Sequence, residues 1–71
     1  MAPLPNVPAD PHDDPDAYVG LEVAHASERA RARGWATVRA LPPGAIVTME
    51  YQVSRLNFEV ADGAVRRCWK G

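Results

Sequence analysis

The stretch LPPGAIVTMEYQVSRLNFEV, Leu41 to Val60, contains both halves of the problem this chain poses. Its second half is regular. Arg55, Asn57 and Glu59 alternate with Leu56, Phe58 and Val60, a period of two that predicts a strand with one apolar and one polar face. Its first half opens on Pro-Pro-Gly, a turn signal, and then sets Ile46, Val47, Met49 and Tyr51 where a surface loop is expected. A buried strand would absorb those apolar residues. However, Val47–Tyr51 would then have to pair with no turn before the next strand. The better reading is an extended, exposed loop of about eleven residues, Pro42 to Gln52, stiffened at its start by Pro42 and Pro43. Connections usually run to about 4–6 residues, and longer unstructured ones are often functional.

The neighbouring segments follow from local chemistry. Trp35–Leu41, with Thr37 and Arg39 alternating against Val38 and Ala40, predicts a strand before the loop. After Val60, Asp62-Gly63 predicts a tight hairpin turn, because glycine accepts a positive φ, and Ala64–Trp69 returns as the last strand. Upstream, Leu21–Arg33 is rich in Ala, Glu and Arg and predicts a helix that ends at Gly34. Val23, Ala26 and Ala30 recur at helical spacing as a narrow face of mostly small side chains, suited to close packing on a sheet. Arg29, Arg31 and Arg33 spread around the helix and favour its C-terminus electrostatically rather than forming a basic patch. His25 reads as a surface residue.

Composition bounds the rest. The chain has 71 residues, 46% of them hydrophobic, enough for one small domain of modest core. One Phe, two Trp and two Tyr must dominate that core, and Trp35 and Trp69 read as packing residues rather than ligand stacks. Eight Lys and Arg against nine Asp and Glu give a net charge of −1, with no electrostatic case for nucleic acid or an anionic membrane. No apolar run approaches the ~20 residues of a membrane helix. Cys68 is the single cysteine, so no intramolecular disulfide is available, and a small apolar residue or spare thiol is its plain reading.

Residues 1–16 hold five of the seven prolines together with several acids, and predict a disordered arm ahead of a domain spanning 17–71. His12 among Asp10, Asp13 and Asp14 matches no metal-ligand spacing, and no metal or cofactor is expected. The N-terminus lacks the basic start and apolar run of a secretory signal, which leaves the compartment undetermined. Nor do the residues contain paired carboxylates, a Cys–His arrangement or a phosphate-cradling glycine loop, so an enzyme is not expected.

The Leu41–Val60 stretch closely resembles the inhibitory segment of the potato inhibitor I family of serine protease inhibitors (barley chymotrypsin inhibitor and eglin-like). The RLN step at Arg55–Asn57 and the cysteine near the C-terminus are more like the related microbial elastase inhibitors. The resemblance runs from about Tyr18 to Gly71. It implies an α+β domain: one helix packed on a short mixed sheet, with the long exposed loop between two parallel strands. It further implies a monomer that binds subtilisin-like or chymotrypsin-like proteases, elastase among the related targets. The binding loop would comprise Ala45, Ile46, Val47, Thr48, Met49, Glu50 and Tyr51. Met49 would be the P1 residue and Met49–Glu50 the reactive bond, with Arg55 bracing the loop from beneath. Two departures stand out. Asn57 occupies the place where many members carry a second bracing arginine, and Cys68 lacks the N-terminal cysteine that microbial relatives pair with theirs. A non-inhibitory interaction domain on the same scaffold is the competing expectation.

Overall fold

The computed structural model describes residues 9–45 and 50–71. Ile46, Val47, Thr48 and Met49, and residues 1–8 of the expected arm, lie outside the described residues. A short 3-10 turn, Pro15–Tyr18, leads into helix α1, Val23–Ala32. Strands β1, Thr37–Leu41, β2, Arg55–Ala61, and β3, Ala64–Lys70, follow in order. They form one sheet in the order β1-β2-β3, with β1 parallel to β2 and β2 antiparallel to β3. The domain is therefore α+β, one helix and a three-stranded mixed sheet.

Each element ends where its residues dictate. Gly34, at φ 103°, takes the left-handed conformation that terminates α1, as its position predicts. Asp62 and Gly63, at φ 54° and 77°, form the two-residue turn between β2 and β3, both central residues at positive φ as that turn requires. The hairpin is not perfectly regular. Glu59 faces Arg67, but Val60 faces Val65, so Arg66 is an extra residue on β3. This bulge returns Val65 to the apolar face, where it is 1% exposed.

The core lies between α1 and that face. Ala26 and Ala30 are fully buried against Leu56, Phe58 and Val65, with Val23, Val38, Val60 and Cys68 packed at the margins. The small helix residues let the backbone approach the sheet, so the volume comes from Leu56, Phe58, Trp35 and Tyr18. Burying each such side chain contributes roughly 1.5–3 kcal/mol. The Tyr18 and Phe58 rings meet at 5.7 Å, and the Arg29 guanidinium lies 5.9 Å from the Tyr18 ring on the helix side. His25 is exposed, as expected.

Composition alone places residues 10–16 in a disordered arm, yet they are fastened to the domain. Tyr18 and Trp35 are buried aromatics that each carry a polar donor, and such donors require partners. Both donate to the same oxygen: Tyr18 OH and Trp35 Nε1, the latter at 3.0 Å, reach Oδ2 of Asp13. Proline-rich composition argues against a packed core, but it does not weigh one carboxylate that satisfies two core side chains.

Burial pushes the Asp13 carboxyl up. The bonds from Tyr18, Trp35 and the Asp14 N–H, together with the charge of Arg33, outweigh this and leave it below its ordinary value of 3.8. Tyr18 is pushed up to about 12, first by burial and then by Asp13. The signs differ. Tyr18 contributes stability that is complete below its unfolded value of 10.0 and is lost as pH rises toward about 12. Asp13 contributes stability above 3.8 that is lost as pH falls through its lower folded value. Thermal melts from pH 2 to 12 should therefore show an alkaline limb beginning near pH 10, on the order of 2 kcal/mol deep. Tyr18→Phe should flatten that limb; an unchanged limb in the variant would refute the assignment.

Cys68 packs partly buried beside the core, and its thiol is pushed up to about 12, by burial first and then by Asp13, Asp16 and Asp14. Only the thiolate is nucleophilic. At pH 8 the native protein should react with a maleimide at least about 100-fold more slowly than the denatured chain does. Equal rates would contradict the burial of this side chain.

Candidate functional site

The other face of the sheet is polar in sequence, yet its central strand is closed to solvent at Arg55 and Asn57. Arg55 is 9% exposed and Asn57 fully buried. Register aligns this face across the strands. Thr37, Arg39 and Leu41 of β1 stand opposite Arg55, Asn57 and Glu59 of β2, which in turn have Trp69 and Arg67 of β3 opposite Asn57 and Glu59. What covers Arg55 is chain on its way from the loop into β2, Glu50–Ser54, together with Gly71 just beyond β3.

Arg55 binds both. Its Nε and Nη2 donate to the Gly71 main-chain oxygen at 3.0 and 2.5 Å. Nη2 also donates to the Glu50 main-chain oxygen at 2.9 Å, and Nη1 to Oε1 of Gln52 at 3.2 Å. Main-chain bonds close the same circuit: Gly71 N–H to Arg55 O at 2.9 Å and Gln52 N–H to Gly71 O at 3.2 Å. Charge-assisted bonds shielded from water contribute about 1.5–3 kcal/mol each. Gly71 has φ 99°, and a Cβ there would stand 2.4 Å from Cδ2 of Tyr51, so the Tyr51 ring lies directly against glycine backbone.

Asn57 is not part of this circuit. It accepts from Nε of Arg39 at 2.8 Å and donates to the Trp69 oxygen at 3.2 Å. Its place beside Arg55 on the face is as the sequence predicts, but among the described residues its side-chain bonds run sideways, to the neighbouring strands. A second guanidinium is thereby brought to this face from β1. Arg39 Nη2 is buried and has no hydrogen-bond partner among the described residues. Alternation along β1 places Arg39 on this face; nothing local in the sequence shows that Asn57 would fix it.

The return segment is tied on its outer side as well. The Tyr51 hydroxyl donates to Oδ2 of Asp10, and the Ser54 N–H donates to Oδ1 of the same residue at 2.9 Å. The Tyr51 bond, then the Ser54 bond, hold the Asp10 carboxyl below its ordinary range against some burial, with Lys70 adding its charge; the same bond raises Tyr51. Ser54 has φ 65°, and its Oγ accepts from the Ala36 N–H at 3.1 Å.

Of the seven residues assigned to the loop by resemblance, Glu50 and Tyr51 are exposed and Ala45 is half-buried; the other four lie outside the described residues. A cavity of about 210 Å³ between Leu41, Pro42, Ala45, Glu59, Arg67 and Trp69 adjoins the start of the loop. It is smaller than the roughly 300–1,000 Å³ typical of small-molecule sites. The Arg67–Glu59 pair at its rim, 3.9 Å apart with Arg67 largely exposed, contributes little to stability. The site's features are those of a propped chain segment rather than a pocket.

No curated protein matches the chain. The family model of the peptidase inhibitor I78 family matches residues 16–68, which takes in α1, the whole connection between β1 and β2, and β3 as far as Cys68. That is a protease-inhibitor family, as the loop's resemblance implied, but it is not the potato inhibitor I family to which the resemblance pointed. With well over half its length matched, on a fold whose central strand props the segment returning from the loop, the chain belongs to the peptidase inhibitor I78 family.

Proposed function

We propose that this chain inhibits subtilisin-like or chymotrypsin-like serine proteases by presenting the β1–β2 connection as a substrate. Met49 would occupy the P1 position, with Ile46, Val47 and Thr48 on the acyl side and Glu50 and Tyr51 on the leaving-group side. The observation that supports this reading best is the bond from the buried Arg55 guanidinium to the main-chain oxygen of Glu50, the first residue beyond the proposed reactive bond. Membership of the peptidase inhibitor I78 family, whose model spans the whole β1–β2 connection, supports the inhibitor reading further.

The chemistry belongs to the protease. Its serine oxygen attacks the Met49 carbonyl carbon, the Met49–Glu50 C–N bond breaks, and the protease's own acid protonates the departing Glu50 nitrogen. In an ordinary substrate that amine diffuses away and water hydrolyses the acyl-enzyme. Here Arg55 holds Glu50 by its carbonyl, so the amine stays beside the ester, and religation at high effective concentration competes with hydrolysis. Pro42 and Pro43, with the Arg55 bonds, reduce the ordering cost of binding. Met49 offers an unbranched apolar side chain to a hydrophobic S1 pocket.

Titration against subtilisin, chymotrypsin, pancreatic elastase and trypsin, with small peptide substrates, tests this. Subtilisin and chymotrypsin should be inhibited about 100-fold more tightly than trypsin, a difference of about 2.8 kcal/mol. Met49→Lys should reverse the order without changing the thermal midpoint. Absence of inhibition, or trypsin as the best target of the natural sequence, would overturn the proposal.

Arg55→Ala should weaken inhibition by at least about tenfold and speed cleavage after Met49, because Glu50 O and Gly71 O both lose the guanidinium that joins them. Strand alternation alone would leave the fold unaffected. The bonds to Gly71 imply instead an additional stability loss of about 1–3 kcal/mol. Unchanged inhibition and cleavage would show that other contacts hold the loop.

A further inference from the structure

Asp10 bridges two residues at either end of a four-residue return, and no role for it follows from the fold. The core is complete without it, since Asp13 alone satisfies Tyr18 and Trp35. Its carboxylate faces Tyr51 and Ser54, 41 and 44 residues further along the chain. We propose that Asp10 is a positioning residue for the inhibitory loop, and that the N-terminal segment around it is a second brace, acting on the leaving-group side from outside the sheet. This rests on the inhibitor reading above.

Three observations combine. The first is the division of bonds along Glu50–Ser54. Arg55 and Gly71 take the Glu50 oxygen and both the main-chain N–H and side-chain oxygen of Gln52. The Tyr51 hydroxyl and the Ser54 N–H lie outside that circuit, and Asp10 accepts from both. Without Asp10, the hydroxyl of a ring that is 56% exposed and set against the Gly71 backbone would lose this acceptor.

The second is backbone strain. Ser54 is a non-glycine residue at φ 65°, a conformation that L side chains adopt only when surrounding bonds enforce it. Its oxygen and its hydroxyl both accept from the Ala36 N–H, which fixes it toward β1. Among the described residues, only the Asp10 bond fixes its N–H. This residue turns the chain from the loop into β2, so any rotation here moves Glu50 relative to Arg55.

The third is that Asp10 is pre-placed. Asp13, three residues on, is pinned by two core side chains, and Pro11 lies against Gly34, where an added Cβ would stand 3.7 Å from its ring. A proline between two anchored acids restricts the short tether, so little freedom remains to be lost when the carboxylate meets Tyr51.

The test uses the full chain with Asp10→Ala, Tyr51→Phe, the double variant, and Asp13→Ala as a contrast. Asp10→Ala should weaken subtilisin inhibition by about tenfold and accelerate cleavage after Met49 by a similar factor, with a thermal midpoint close to that of the natural protein. Asp13→Ala should instead lower the midpoint. The double variant should be little worse than Asp10→Ala, because the two side chains share one bond. Amide hydrogen exchange without protease supplies a readout that does not depend on inhibition: the Ser54 amide should exchange at least about tenfold faster in Asp10→Ala. If the natural protein inhibited nothing while this exchange effect held, the inhibitor reading would fail and the brace would stand as a structural fact without that purpose. If the natural protein inhibited and Asp10→Ala matched it in affinity, cleavage and exchange, the brace itself would be refuted.

Discussion

The segment returning from the loop and the end of β3 converge on one guanidinium. Arg55 lies at the start of the central strand, nearly out of solvent, with its donors divided between the Gly71 oxygen, the Glu50 oxygen and Gln52. Those acceptors come from the far end of β3 and from the chain leaving the loop, two segments that also meet where the Tyr51 ring lies against Gly71. A buried charge stripped of such partners is costly. The same cost acts as a constraint here: Arg55 can remain buried only while Gly71 and the loop's return stay where they are.

The sheet thus divides the work by face. Toward α1 it builds an apolar layer in which alanines let the helix approach and Phe58, Leu56, Tyr18 and Trp35 supply the volume. That layer determines whether the chain folds. On the other face it builds a hydrogen-bonded layer in which Arg55 holds the segment returning from the loop and Asn57 is tied to Arg39. A chain of 71 residues has little apolar surface to spare, and directional bonds hold a protruding segment better than non-directional burial could. The β3 bulge serves the division, since it sends Val65 to the core while Arg67 and Trp69 remain on the loop side.

What could be read from the sequence follows the range of the forces. Period-two alternation through Arg55–Val60, the Asp62-Gly63 turn and the Gly34 stop are local, and each element forms within a residue or two of its expected place. The face of Arg55 was legible too, because alternation put it opposite Phe58; its bonds to Glu50 and Gly71 are not local, and a bracing role was only implied by the resemblance. The fastening of residues 10–16 was not. Asp10 and Asp13 act on partners between 5 and 44 residues away, and composition averages over the very side chains that matter. A signal for Asp13 did exist: two aromatic residues assigned to the core each needed an acceptor, and the acids nearest Tyr18 precede it. Asn57 was harder. Its bond to Arg39 depends on the parallel register of β1 and β2, which no short-range pattern encodes.

The direction of the bracing matters for the proposed mechanism. Once a protease has acylated its serine with Met49, the acyl side of the loop is held covalently by the enzyme. The side that can escape is the new amine at Glu50, and religation requires that it does not. The bonds of Glu50–Ser54 fall on that side, from Arg55 and Gly71 beneath and from Asp10 outside. They come from the start of β2, the end of β3 and the segment before the helix, which are themselves joined through the core and not through the loop. In the proposed mechanism, cutting the Met49–Glu50 bond would therefore remove none of these contacts. A loop held only by its own two covalent ends would relax on cleavage and become a substrate, whereas in the proposed mechanism one held on its leaving-group side by three other parts of the chain would keep the amine beside the ester.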